Sequence, residues 1–122
     1  MSNVLDYSHS VEATRLPLSY LTAQRINRSK EIAFIKRKGK CFLGKYLKIY
    51  YNANSGDPRI AIRVTKRYGK ANRRNRFKRL IREAFRLNAH KFKTSYDLLV
   101  YPQLTLRPQK LEDILEDLQF FW

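Results

Sequence analysis

The segment from Lys66 to Arg86 constrains the fold more than any other part of the sequence. It holds ten Lys and Arg residues and a single acid, Glu83. At 100° per residue in a helix, the apolar side chains fall on one side, namely Phe77, Leu80, Ile81, Ala84 and Phe85. The opposite side carries Asn75, Arg79, Arg82 and Arg86. Asn72 to about His90 is therefore predicted to be a helix with one core face and one guanidinium face.

Three extended segments around this helix predict a sheet. Arg59–Thr65 alternates strictly between an apolar face and a basic face. Tyr96–Tyr101, which Pro102 ends, has the composition of a buried strand. Lys40–Asn52 is also predicted to be extended, and the turn residues 52–58 predict a hairpin with Arg59–Thr65. The basic helix thus belongs to a β, α, β unit.

Two shorter helices complete the predicted domain. Residues 29–38 suit a helix with Ser29 as its N-cap, Phe34 in the core and Gly39 at its end. Gln109–Phe120 combines an apolar stripe with a side that holds four of the ten acids, so it should face away from a nucleic acid. Residues 20–122 are predicted to form one α+β domain, and residues 1–19 a flexible N-terminal extension.

The charge balance predicts a polyanionic partner. The chain has 26 Lys and Arg residues against 10 Asp and Glu, a formal charge of +16. RNA, DNA or an anionic membrane could relieve this self-repulsion, and its one-sided sign disfavours a basic face that serves solubility alone. No window approaches the roughly 20 apolar residues of a membrane span, and residues 1–19 lack a secretory signal. We therefore expect a cytoplasmic protein.

The few thiol and imidazole groups argue against a metal centre. Cys41 is the only cysteine, which excludes an internal disulfide, and we predict that it packs in the interior. His9 and His90 are too few for a structural zinc cluster, and no acidic cluster suits a divalent cation. No catalytic or metal-binding side chain is therefore predicted.

Arginine dominates the basic helix face, which favours phosphate groups as its ligands. A planar guanidinium donates two parallel hydrogen bonds to a phosphate and can stack on a base. Asn75 adds a group that can read a base edge or a 2′-hydroxyl. The helix start near Asn72 presents main-chain amides and the positive end of the helix dipole. This end should bind a phosphate.

The same residues resemble a known family signature. The chain carries the ordered string Gly69-x-Ala71-x-x-Arg74-Asn75-Arg76-x-Lys78-Arg79-Leu80-Ile81-Arg82-Glu83-Ala84-Phe85-Arg86. This string closely resembles the signature of the bacterial ribonuclease P protein family. The strand RIAIRVTKR, Gly39 and Tyr96-Asp97 fit the same family, so the resemblance covers roughly residues 26–122.

The resemblance implies a fold and an activity. The fold would be a single four-stranded mixed sheet packed with three helices. The basic helix would lie in a left-handed β, α, β crossover, as in the second domain of ribosomal protein S5. The protein would be a subunit of ribonuclease P, an endoribonuclease that removes the 5′ leader from precursor tRNA. The catalytic centre would lie in the RNA subunit, which requires Mg²⁺. The protein itself would hold no cofactor, and its partners would be the catalytic RNA and precursor tRNA, not duplex DNA or a membrane.

The resemblance also implies two sets of contact residues. The first would bind the catalytic RNA and consists of Lys66, Arg67, Arg73, Arg74, Asn75, Arg76, Lys78, Arg79, Arg82 and Arg86. The second would line a cleft for the single-stranded leader and consists of Ile32, Lys36, Tyr50, Arg63 and Thr65. Tyr50 could stack on a base or be an ordinary cross-strand packing residue. Ile32 and Lys36 stand where the family commonly has aromatic residues, so Lys36 is expected to contact a phosphate instead.

Three other functions stay open at this point. A structural or ribosomal RNA-binding protein would explain the charge equally well but needs no open cleft. A DNA-binding regulator would use the basic helix for recognition, although no short helix is predicted before it. A stand-alone metal nuclease is disfavoured because suitable ligands are lacking. Dependence of binding on leader length would separate a ribonuclease P subunit from a structural RNA-binding protein.

Overall fold

Three helices pack on a four-stranded mixed sheet in the computed structural model, which describes Arg25, Ile26 and residues 28–122. The helices are α1 (Ser29–Lys38), α2 (Ala71–Asn88) and α3 (Leu111–Leu118). The strands are β1 (Lys40–Leu43), β2 (Leu47–Ala53), β3 (Arg59–Ile62) and β4 (Tyr96–Pro102). Short 3-10 turns occupy Lys66–Tyr68, Ala89–Lys91 and Gln119–Phe121. The predicted α+β class is confirmed, and the predicted extension, residues 1–19, lies outside the described residues.

The strand order is β1-β2-β4-β3, with β3 and β4 parallel and the other neighbours antiparallel. The predicted hairpin between Lys40–Asn52 and Arg59–Thr65 is therefore wrong, because β4 separates the two segments. The hairpin instead forms between β1 and β2, within Lys40–Asn52. Strand β4 takes the central position because Leu98, Leu99 and Val100 are apolar on both faces and are 0% exposed. The predicted β, α, β unit is β3-α2-β4, and its handedness stays a prediction from the resemblance.

One face of the sheet carries the main core. The predicted apolar face of α2 supplies Phe77, Ile81, Ala84 and Phe85, all buried, while Leu80 is only partly covered. Ile114 and Leu118 of α3 pack into the same cluster. The alternation of apolar residues in β2 and β4 directs Leu47, Ile49, Leu98 and Val100 toward both helices.

Helix α1 covers part of the opposite face. Its Ile32 and Ile35 pack with Ala61 and Leu99, and Ile26 joins them. The face that the alternation in Arg59–Thr65 predicted to be basic is therefore partly apolar core, because Ala61 is buried beneath α1.

Arg59 is also neutralised on this face. Its Nε and Nη2 donate to the two carboxylate oxygens of Asp97, both at 2.9 Å. A second carboxylate, that of Glu31, lies 3.4 Å from its Nη1. These acids hold the pKa of Arg59 above its ordinary value, chiefly through the hydrogen bonds to Asp97. The bidentate ion pair between Arg59 and Asp97 therefore stabilises the fold by joining β3 to β4.

Three local predictions around α1 and β1 are wrong. The helix begins at Ser29 itself, with Arg28 at the cap position and no side-chain cap. Phe34 is 45% exposed rather than in the core, because it lies on the side of α1 opposite Ile32. Cys41 is exposed rather than packed, since β1 is the edge strand and α1 lies over β2 and β4.

Gly39 joins α1 to β1 at a point where backbones approach closely. A Cβ atom there would lie 2.5 Å from the carbonyl oxygen of Ile35 and 2.7 Å from that of Tyr51. We expect Gly39→Ala to lower the free energy of unfolding by about 1–3 kcal/mol, because backbone atoms must move to admit the methyl group. Urea denaturation measures this loss. Gly56→Ala is the control, since a Cβ there meets no atom within 4 Å; equal losses in both variants would contradict the explanation.

Asp117 also departs from the prediction, because it does not belong to an outward acidic side of α3. It is 4% exposed, and its carboxylate accepts hydrogen bonds from the main-chain amides of Lys45, Tyr46 and Leu47 at 3.0, 2.7 and 2.9 Å. These amides form the turn between β1 and β2, where they would otherwise lack acceptors. Glu112 and Glu116 remain exposed as predicted.

Candidate nucleic-acid interface

An open groove lies between α1 and the ends of β2, β3 and β4. Its cavity volume is about 340 Å³, and its lining consists of Lys36, Lys48, Tyr50, Arg63, Thr65, Arg67, Tyr101, Pro102 and Leu104. We call it the leader groove, after the cleft that the resemblance implies. Four of the five residues assigned to that cleft line it together. The fifth, Ile32, is 8% exposed and packs in the core beneath α1, so its predicted place in the lining is wrong.

The leader groove combines an aromatic floor with cationic sides. The rings of Tyr50 and Tyr101 meet edge to face, with centroids 6.0 Å apart. The Nζ of Lys48 lies 5.3 Å from the Tyr50 ring centre, and the Nζ of Lys36 lies 5.5 Å from that of Tyr101. A hydrogen bond with the Tyr50 side chain raises the pKa of Lys48 above its ordinary value. Planar bases and phosphates could both be accommodated here.

Tyr50 is partly buried and packs against the α1 cluster, so the cross-strand packing role is also present. Lys48 and Tyr101 were not singled out in the sequence. The period of two in a strand could have identified Lys48, because residues 48 and 50 of one strand point to the same face of the sheet. Tyr101 could have been predicted only from the pairing of β2 with β4, in which it lies opposite Lys48.

The leader groove continues around the β3 edge of the sheet toward α2. Arg63 lines both the groove and a second cavity of about 200 Å³, whose lining also includes Arg25 and Arg82. Burial, together with repulsion from Arg25, lowers the pKa of Arg82 from its ordinary value. An arginine keeps its charge under such conditions, and a phosphate beside the two guanidinium groups would relieve their repulsion. The two predicted contact surfaces are therefore adjacent.

The predicted face of α2 is only partly free for a ligand. Asn75 and Arg79 are exposed, whereas Arg86 forms an ion pair with Glu83. Arg74 donates to the carbonyl oxygen of Gly69 at 2.7 Å, which supports the turn before the helix. Gly69 has φ 149°, a conformation that L side chains rarely adopt. Of the remaining predicted residues, Lys66, Arg67, Arg73 and Arg76 are exposed and Lys78 is half-buried.

The N-terminal end of α2 borders a cavity of about 370 Å³. Arg73, Arg76 and Arg107 line it above Tyr68 and Phe77. The Arg107 guanidinium lies 4.4 Å from the Tyr68 ring centre and donates to the Tyr68 carbonyl oxygen. Arg76 donates to the carbonyl oxygen of Gln109 at 2.6 Å. No side chain caps the helix, so this end offers main-chain amides, the Arg73 guanidinium and the remaining donors of Arg76 and Arg107 to an anion. Arg107 was missed because it comes from a distant loop.

Within the residues that the structure describes, no group of three or more His, Cys, Asp or Glu side chains could hold a metal ion. No helix in this part of the chain is long and apolar enough to cross a membrane.

Comparison with known proteins identifies related sequences. Residues 21–122 match the family model described as Ribonuclease P. A ribonuclease P protein component from Syntrophus aciditrophicus is 36% identical over 102 residues, which cover 83% of this chain and 86% of that protein. The corresponding protein from Clostridioides difficile is 37% identical over 91 residues, covering 73% and 80% of the two chains.

Solved structures show the same fold. The RNase P protein from Thermotoga maritima has a TM-score of 0.70 and 29% sequence identity, and the match covers 79% of this chain and 92% of that chain. The RNase P protein from Staphylococcus aureus has a TM-score of 0.66 and 28% identity, covering 80% and 91%. The three helices and the four-stranded mixed sheet are thus shared with these proteins.

Proposed function

The chain belongs to the ribonuclease P protein family, whose members are components of the enzyme that processes the 5′ end of tRNA, and we propose that it binds two RNAs in that enzyme. The catalytic RNA would contact the basic face and N-terminal end of α2. The single-stranded 5′ leader of precursor tRNA would lie in the leader groove. Endonucleolytic removal of the leader would then give the mature 5′ end of the tRNA. This cleavage would take place in the cytoplasm.

The observation that carries the proposal is the composition of the leader groove. Lys36 lies in α1, Tyr50 in β2, and Arg63 and Thr65 in the segment after β3, yet all four line one open cavity. Stacking on a tyrosine is available to any base, and lysine or arginine can follow a phosphate backbone without reading sequence. A groove with this lining suits leaders of varied sequence.

The chain's side chains would contribute binding rather than chemistry. The described residues offer no carboxylate or histidine cluster that fits Mg²⁺, so we assign the Mg²⁺ required for phosphodiester hydrolysis to the RNA. The cations of α2 and the leader groove would screen the repulsion between two RNA backbones. The protein would thereby lower the Mg²⁺ concentration needed for assembly.

Duplex DNA is a poor fit as a partner. In the described part of the chain, a strand and a three-residue 3-10 turn precede α2, whereas a helix-turn-helix protein places a first helix there. Competition between duplex DNA and folded RNA would test this distinction, and stronger binding of DNA would contradict the proposal.

The central experiment compares precursor tRNAs with long and very short leaders. A bacterial catalytic ribonuclease P RNA is assayed at low Mg²⁺, with and without this protein. We expect the protein to stimulate cleavage, and the stimulation to be larger for the long leader. Tight RNA binding without stimulation would instead favour a structural RNA-binding protein. Hydrolysis by RNA-free protein would overturn the assignment of catalysis to the RNA.

Tyr50 permits a sharper test of the leader groove. Tyr50→Leu retains apolar packing against α1 but removes the aromatic face, so we expect leader binding to weaken by about 1–3 kcal/mol. Tyr50→Phe keeps the ring and should bind nearly as the parent does. Equilibrium binding of long-leader and leaderless precursors gives the measurement. Equal weakening for both precursors would place Tyr50 outside the leader contact.

A further inference from the structure

A second aromatic groove lies at the other end of the sheet from the leader groove, on the opposite face. Its cavity volume is about 560 Å³, and it lies between the C-terminal end of β2 and the final 3-10 turn, Gln119–Phe121. Tyr51, which lines it, follows Tyr50 in β2 and so points to the other face of the sheet. We call this the C-terminal groove.

Phe120 forms an exposed aromatic surface in this region. It is 55% exposed, although its ring stacks on Phe42 with centroids 4.3 Å apart. Phe121 and Tyr51 meet the ring from its sides, with centroids 5.0 and 6.1 Å away. The surrounding rings therefore hold Phe120 in place while leaving much of it open. This arrangement is preorganised for contact with another planar group.

The charges around the groove select an anionic ligand. Lys38, Lys40 and Lys93 line it, and its described lining contains no Asp or Glu. The Nζ of Lys91 adds a further cation 4.6 Å from the Trp122 ring centre. A ligand that is planar, partly apolar and anionic matches both the rings and the lysines. Unpaired nucleotides have all three properties.

We propose that the C-terminal groove binds a second single-stranded segment of RNA. A base would stack on Phe120, and the adjoining phosphates would contact Lys38, Lys40 and Lys93. None of these residues belongs to the leader groove or to α2. The inference therefore goes beyond the proposed function and does not depend on leader binding at Tyr50.

The protein contains a built-in reporter for this site, because Trp122 is its only tryptophan and lines the groove. We expect an oligouridylate of about ten nucleotides, a length within the range of known single-strand sites, to change the Trp122 fluorescence in a saturable way. Phe120→Leu should weaken this binding by about 5- to 100-fold, the loss expected for one stacked base. Lys40→Ala with Lys93→Ala should also weaken it and reduce its salt dependence.

Matched variants separate this site from the others. Phe34→Leu removes an exposed aromatic ring outside the groove, and Lys45→Ala with Lys110→Ala removes two charges near α3 instead. Both should leave the fluorescence titration unchanged, as should Tyr50→Leu. Circular dichroism melting identifies any variant that is unfolded, and the lysine pair provides an independent test if Phe120→Leu fails to fold.

Two results would overturn the proposal. The first is a titration that produces no saturable change in Trp122 fluorescence. The second is a change that Tyr50→Leu abolishes while Phe120→Leu and the lysine pair leave it intact. In either case the dependence of cleavage on leader length could still hold, so failure here is distinguishable from failure of the proposed function.

Discussion

Replacing Arg79 and Arg82 together with alanine is expected to weaken binding of the catalytic RNA by about 10- to 100-fold, as for the loss of one or two charged hydrogen bonds. Arg79 is exposed on the proposed RNA face, and Arg82 lines the cavity that it shares with Arg63 and Arg25. Each lost phosphate contact also reduces counterion release. The slope of log affinity against log salt should therefore become shallower by about 1–2.

The double variant should remain folded, because neither side chain belongs to the buried face of α2: Arg79 is exposed, and Arg82 is only partly buried. Binding is measured over a series of salt concentrations, and thermal melting reports the fold. Lys45→Ala with Lys110→Ala changes the net charge equally but near α3, so it controls for the overall charge of the protein. An unchanged salt slope in the arginine variant would remove Arg79 and Arg82 from the interface.

Asp117→Ala is expected to produce the largest loss of stability, about 3 kcal/mol of unfolding free energy. A hydrogen bond to a charged group contributes about 1.5–3 kcal/mol, and losses within one cluster do not add fully. Alanine would leave three main-chain amides without their acceptor, and the bonds from Tyr46 and Leu47 are buried.

Urea denaturation gives the stability of this variant. Asp117→Asn retains one carbonyl oxygen as an acceptor and should therefore lose less. Glu116→Ala is the control from the same helix, since Glu116 is exposed and its ion pair with Lys45 spans 3.7 Å; its effect should stay within about 0.5 kcal/mol. If the alanine variants at 116 and 117 unfolded at the same urea concentration, the carboxylate would have no special role.

The elements that sequence alone located well are those whose signal is local. Helix α2 has an apolar period long enough to determine its buried face, and the structure begins it one residue before the predicted Asn72. Strand β4 was recognisable from its apolar run. Sheet order is not local, however: only the insertion of β4 between β2 and β3 shows that Arg59–Thr65 cannot form the predicted hairpin.

The residues of the candidate site also divide into those with a local sequence signal and those that only the tertiary structure identifies. The period of two in the strands and the family resemblance together predicted that Tyr50, Arg63 and Thr65 line one groove, as they do in the structure. Ile32 was misplaced because its position was taken from the family pattern, whereas α1 turns this branched apolar side chain into the core. Arg107 could not be found from a motif, since its contact with Tyr68 joins segments that are far apart in sequence.

The hydrogen bonds of Asp117 also bear on how the chain is assembled during synthesis. They join residues 70 to 72 positions apart, and contacts of such long range form late and slow folding. The turn between β1 and β2 gains its acceptor only after α3 has left the ribosome. Lys48 and Tyr50 lie in the strand that follows this turn, so we expect a nascent chain that stops before α3 to lack a fully formed leader groove.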